Sequence, residues 1–253
     1  MYRAAAIVLT SLLLACGRPQ SPQEAIDQLA PSMTFYASYE DGMDAAQARD
    51  DRRIYSAPSY EALGERGPWY WGQDVQLAYD SGISGHALNF TGGLTQALFY
   101  TGEANAPWAD AGALSVWLHP GEFFGAPLAV VGVDPLAPAV AIDLLSDPLQ
   151  LAVRAIHGEG SAVPPAGDWL HVVISVSDAA SGGKVTVYVN GQESTTFDVT
   201  DPDHSWDAAR STIRLGVDYV GLIDELAIFD RALTPAEVRL LHETPNLPAS
   251  LMR

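Results

Sequence analysis

From Met33 onward, apolar and polar residues alternate in short runs broken by Gly, Pro, Asn and Asp, as in half-buried strands separated by turns. Ten runs are clear: 33–39, 86–91, 113–118, 128–133, 139–145, 149–156, 169–177, 184–190, 212–216 and 222–229. No helical period lies between them, which predicts an all-β, antiparallel sandwich rather than a parallel α/β sheet. Asn190-Gly191, between runs 185–189 and 193–197, predicts a two-residue hairpin, because both turn residues tolerate positive φ. Val185, Val187 and Val189 then face the core. Near the end, Thr234-Pro235-Ala236-Glu237 has the form of a capping box with proline at the first helical position. It predicts one short helix to about Glu243, with Val238, Leu241 and Leu240 on its apolar side.

The two ends of the chain read differently. Residues 1–15 carry one charge at Arg3, then an apolar run too short to span a bilayer, then Ala15, which is the layout of a secretory signal peptide. Leu13-Leu14-Ala15-Cys16 resembles the bacterial lipobox. The resemblance implies cleavage before Cys16 and lipidation of that residue, the chain's single cysteine. Two or three acyl chains hold a protein stably at a membrane where one does so marginally. Gly17, rather than Asp, follows the cysteine, and this resembles the outer-membrane pattern of Gram-negative lipoproteins. The expected localisation is the bacterial cell envelope, with the membrane contacted through the lipid anchor only. The expected domains are a signal peptide over 1–15, a lipidated tether over 16–31 with one helical turn at 24–29, a jelly roll over 32–245, and a loose C-terminal tail over 246–253.

Charge narrows the set of partners. With 13 Lys+Arg against 31 Asp+Glu, the net charge is −18, so nucleic acid is not an expected partner, because phosphate binding rests on dense basic residues. At 48% hydrophobic and 17% charged, the chain has the apolar material for a packed core. One cysteine excludes an intrachain disulfide and a Cys-based zinc site. The six histidines are scattered with no i, i+4 pair, and there is no Gly-x-Ser-x-Gly elbow. His171, alternating with Trp169 and Val173, reads as a core or edge histidine.

The stretch Gly221-Leu222-Ile223-Asp224-Glu225-Leu226, running into Asp230-Arg231-Ala232-Leu233 and the capped helix, resembles the C-terminal signature of laminin-G-like, concanavalin A-like lectin/glucanase jelly rolls. Three further stretches fit in order: Phe35 to Ala45 with its Asp41-Gly42-Met43-Asp44 turn, Leu114-Ser115-Val116-Trp117-Leu118, and Trp169-Leu170-His171-Val172-Val173 followed by the Asn190-Gly191 hairpin. The resemblance covers roughly 32–245 and implies a β-sandwich jelly roll, with Trp117 and Trp169 as core tryptophans. It implies a non-catalytic cell-surface module that binds a glycan or glycoprotein. An assembly lipoprotein docking on another envelope protein is the alternative, and a glycoside hydrolase is a further one. Glucanases of this fold use a Glu-x-Asp-x-x-Glu triplet on one strand, and the sequence contains none.

In a regular strand Asp224 and Glu225 point to opposite faces, one carboxylate on each. A buried carboxylate needs a cation or a set of hydrogen bonds. The resemblance implies a calcium ion held by Asp41, Asp44 and Asp224, with backbone carbonyls and water completing six to eight oxygens. A solvated acidic turn, with Glu40, Asp41, Asp44, Asp50 and Asp51 neutralised by Arg49, Arg52 and Arg53, is the other reading of the same residues. For a sugar ligand, Trp69, Tyr70 and Trp71 offer aromatic faces beside Asp74; alternatively these rings plug the end of the sandwich. Trp108 and Trp206 read as loop aromatics without a task.

Overall fold

The computed structural model describes residues 21–68, 74–92, 96–108, 110–121, 125–131, 140–145, 150–155, 158–163, 168–199 and 208–252. The signal peptide, Cys16, residues 69–71 and Trp206 lie outside them. Two antiparallel sheets form a sandwich. One runs Gln192–Asp198, Lys184–Val189, Leu170–Ser177, Gly112–Pro120, Gly221–Phe229, Met33–Ala37, Gln47–Ala48, with Ala87–Phe90 and Val75–Ala78 added beside Gly221–Phe229. The other runs Gly158–Ala162, Gln150–Ala155, Val140–Leu145, Ala126–Val131, Thr212–Val217, Ala97–Thr101, Tyr55–Ala57, Gly67–Pro68.

All ten expected strands form. Ala97–Thr101 was not expected, because Ala97, Leu98, Phe99 and Tyr100 are all buried. A strand covered on both faces loses the alternation by which strands are recognised. Leu98 and Tyr100 join Phe35, Leu114, Ile142, Val172 and Leu215 in the core between the sheets. Val185, Val187 and Val189 lie there too. At their hairpin Asn190 and Gly191 have φ of 48° and 76°, and Val189 pairs with Gln192.

Three helices, not one, cover the outer face of the first sheet. The expected helix, α2 (Pro235–Glu243), begins with a full capping box. Glu237 Oε2 accepts the Thr234 amide at 2.8 Å, and Arg231 holds both Glu237 oxygens at 3.0 and 2.6 Å. The tether expectation is corrected from residue 22 onward: Pro22–Ser32 is an eleven-residue helix, α1, with its own capping box between Ser21 and Glu24. The tail is corrected as well, since Leu247–Leu251 forms α3 with Leu247 and Leu251 buried. Leu29 of α1, Val238 and Leu241 of α2 and the α3 leucines pack on Tyr36, Val173 and Phe229. Each such side chain contributes roughly 1.5–3 kcal/mol when fully buried, which fixes the three helices to the sandwich.

The tryptophans are redistributed relative to expectation. Trp108 is in the core; its Nε1 donates to the Phe229 carbonyl at 3.1 Å, and it occupies the space a Cβ at Gly112 would need. Trp117 lies on the helix side of its sheet, stacked at 4.8 Å on His171 and 5.4 Å on His242 of α2. Trp169 is partly exposed, edge-on to His119 at 5.4 Å.

Candidate functional site

On the edge away from Gly112–Pro120, the Gly221–Phe229 strand has one neighbour along its first half and another along its second. Residues 221–223 pair with Ala87–Phe90, and residues 226–229 pair with Met33–Ala37. Between the two partners the strand bulges at Asp224 and Glu225, and Glu225 takes φ of 51°. Ile223 and Leu226 both enter the core, which strict alternation forbids across an even gap of this kind. The expectation of one carboxylate on each face is therefore corrected: the bulge gathers both acids at one gap.

Asp224 is fully buried and Glu225 is 2% exposed. Asp224 accepts the amides of Ser84 at 3.2 Å and Glu225 at 2.8 Å, and Glu225 accepts the Tyr36 hydroxyl at 2.7 Å. Glu40 is the third acid nearby, accepting the His86 amide at 2.9 Å. The Gly82–Gly85 turn closes over the group. A Cβ at Gly82 would fall 2.5 Å from an Asp224 oxygen, and one at Gly85 would collide with the Glu40 carboxylate. Burial, with Glu225 alongside, raises Asp224 to about 8, and burial raises Glu225 to about 8.

Asp41 and Asp44 lie elsewhere. Both line a cleft of about 480 Å³ with Tyr39, Arg52 and Met252, and Asp44 accepts the Ile54 amide at 2.9 Å. Among the described residues no three His, Cys, Asp or Glu side chains gather as a metal ion would require. Part of the acidic turn is neutralised within itself, Arg53 pairing with Asp51 at 2.9 Å, while Arg49 reaches Asp230 at 2.8 Å. His171 is fully buried, with its Nε2 2.9 Å from Ser115 Oγ. Burial and the neighbouring His242 lower it to about 3. Of the expected ligand-binding set only Asp74 is described; its carbonyl accepts the Thr91 amide at 3.0 Å.

The sequence reading missed the outer face of the second sheet, where Tyr60 and Leu63 cover Ala97 and Phe99 at one side and a groove opens at the other. In its register one outward row crosses the strands: Glu159 opposite Arg154, Arg154 opposite Ala141, Ala141 opposite Ala129, Ala129 opposite Arg214, Arg214 opposite Phe99; Glu159 and Arg154 are exposed, and the other four are buried. Arg154 is tied to Asp143 at 2.9 Å. Arg214 stacks on Tyr60, 4.2 Å from the ring centroid. Along this face runs a groove of about 810 Å³, walled by Asp143, Ala152, Arg154, Glu159 and Ser161, with Asp218 at its other end. A second hollow of about 210 Å³, lined by Ser59, Tyr60, Glu61 and Gln96, shares Val217 and Asp218 with it. The alternation of 140–145 and 150–155 marks outward positions in the sequence. That they join into a groove depends on cross-strand register, which sequence does not display.

A family model of the concanavalin A-like lectin/glucanases superfamily matches residues 92–239, more than half of the chain. The chain belongs to that superfamily. Among solved structures, this concanavalin A-like sandwich is similar to domain 4 of AbnA, a GH43 extracellular arabinanase from Geobacillus stearothermophilus, in complex with arabinotriose. The TM-score is 0.55 at 22% identity, over 83% of this chain and 98% of that one. It is also similar to a botulinum neurotoxin type C structure whose cell entry depends on interaction with two ganglioside molecules (TM-score 0.60, 13% identity, 90% of this chain and 53% of that one). The binding domain of Paraclostridial Mosquitocidal Protein 1 gives 0.58 at 14%, over 86% and 53%. The chain thus spans nearly all of the arabinanase domain and about half of each toxin chain. No curated protein matches it by sequence. At these identities the structural likeness establishes the fold, and function is argued from the site.

Proposed function

We propose that the protein is a non-catalytic cell-surface module that binds carbohydrate, free or on a glycoprotein, in the groove on the outer face of the second sheet. The observation that carries the reading is that groove. It is an open concavity whose carboxylates and Ser161 offer hydrogen-bonding partners for hydroxyls, and the adjoining hollow adds Gln96 and the edge of Tyr60. The arabinotriose and ganglioside contexts of similar structures support it. Glycoside hydrolysis needs two free carboxylates flanking one bond. Here Asp143 is engaged by Arg154, the sequence carries no Glu-x-Asp-x-x-Glu triplet, and Glu159 and Asp218 are the remaining carboxylates of the groove whose role product analysis decides. Isothermal titration of a neutral oligosaccharide panel, with product analysis in the same samples, tests the reading; hydrolysis products would replace it with the enzyme.

Lipidation at Cys16 and an outer-membrane location in the bacterial envelope belong to the same reading. Cys16 stands five residues before Ser21, which caps the docked helix α1, so the lipid can lie at most about 18 Å from that end of the helix. The groove would open on the face opposite the helices. Labelled palmitate incorporation, lost in Cys16→Ser, tests this. We also propose a calcium ion at the strand gap, where Asp224 and Glu40 would be its carboxylate ligands in place of Asp41 and Asp44. Buried Asp224, which has no cationic partner among the described residues, supports it, with Glu40 exposed beside it, and carbonyls and water would have to supply most of the oxygens. The docking alternative, to another envelope protein, draws on exposed Leu145 and Val163 near the start of the Gln150–Ala155 strand.

A further inference from the structure

The groove and the smaller hollow are two parts of one trough, because both are walled by Val217 and Asp218. The trough reaches from Ala97–Thr101, across Thr212–Val217, Ala126–Val131, Val140–Leu145 and Gln150–Ala155, to Gly158–Ala162. Six strands at the usual spacing give a path of about 24 Å, longer than any single sugar ring. Ala152 and Ser161 are its small outward side chains, and Gly160 adds bare backbone between them and the rim. A chain laid across the strands meets mostly backbone and methyl groups underneath and acids along the sides.

The charge of those sides is one-signed. Asp143, Glu159, Asp218 and Glu61 line the trough, and among its described lining residues Arg154 is the single cation. Arg154 is already committed to Asp143, with Nε and Nη2 at 3.0 and 2.9 Å. Arg214 lies close by but is 8% exposed, sits against Tyr60, and gives its Nε to Thr212 at 3.2 Å. No described cation is left for a ligand carboxylate or sulfate. Carboxylates accept hydrogen bonds and donate none, so they pair with sugar hydroxyls and repel uronates and sulfates.

We infer that the trough takes a neutral, linear oligosaccharide of several sugars laid across the strands, and rejects uronate and sulfated glycans. The inference rests on the carbohydrate-binding reading and specifies its ligand. It is tested on the whole mature protein by titration with two length series, neutral arabino- and gluco-oligosaccharides and oligogalacturonates, together with sulfated heparin fragments. The expected result is neutral binding that tightens at least about tenfold from disaccharide to pentasaccharide, and at least about tenfold weaker binding of the anionic series at equal length. A Glu159→Lys, Asp218→Lys double variant, folded by its melting curve, should gain binding to oligogalacturonate. Anionic glycans bound as well as neutral ones, affinity flat with length, or no gain in the reversed-charge variant would overturn the inference while leaving carbohydrate binding in place. Failure of every glycan would remove the underlying reading as well.

Discussion

The two outer faces of the sandwich start from the same alternation and end differently. On the first sheet the outward positions are Tyr36, Val173 and Phe229, and leucines from three helices cover them. On the second, Ala97 and Phe99 are covered in the same way by Tyr60 and Leu63, but toward the other edge the outward positions include Asp143, Ala152 and Arg154, and they wall an open groove. An apolar face must be covered to hold the fold, whereas a face of small and charged residues can remain in water and receive a ligand. Stability should therefore reside on one side and binding on the other.

The largest test of that division is Leu29→Ala or Leu241→Ala. Each should cost about 2–5 kcal/mol in chemical denaturation and leave oligosaccharide affinity at 20 °C unchanged; a cost near zero for Leu29→Ala would return α1 to the status of a tether. A pH series in chelator sharpens the comparison next. Asp224 and Glu225 are raised to about 8 in the fold, so the folded state holds their protons. Their stabilising contribution is complete below the ordinary carboxylate pKa and is lost as pH rises toward 8. His171, lowered to about 3, acts oppositely: the unfolded chain takes up its proton first, and stability falls as pH drops below about 6.5. The melting temperature should fall from about pH 6.5 to about pH 8, by the equivalent of a few kcal/mol, and then level off. Asp224→Asn with Glu225→Gln should flatten that limb, and calcium should do the same where it binds. The smallest stability effect belongs to the open face. Arg154→Ala removes a half-exposed pair worth under about 1 kcal/mol, yet it releases Asp143 into the groove. Glycan affinity should change at least several-fold with the melting curve almost unmoved.

Much of the sandwich was legible in the sequence because its strands are half-buried and alternate, and because Asn190-Gly191 and Thr234-Pro235-Ala236-Glu237 are local signals. The same box stands at Ser21-Pro22-Gln23-Glu24 and was not read, since three prolines and a weak apolar period around it suggested a tether. Local signals also could not show that the Gly221–Phe229 strand has two successive partners. That split creates the bulge, and the bulge brings Asp224 and Glu225 together with Glu40. The groove was hidden for a related reason: Asp143, Glu159 and Asp218 are distant in sequence and meet only through pairing register. The aromatic set at 69–71 was visible in the sequence and lies outside the described residues, so the open face rests on Tyr60 and the acids.

The most direct measurement is calorimetric titration of Ala152→Trp with a neutral pentasaccharide. Ala152 faces outward into the groove and opposes Asp143 and Ser161 across the strands, so an indole there fills the groove without entering the core. The account predicts lost binding with an unchanged melting temperature. Wild-type affinity in the folded variant would show that the ligand sits elsewhere and would contradict it.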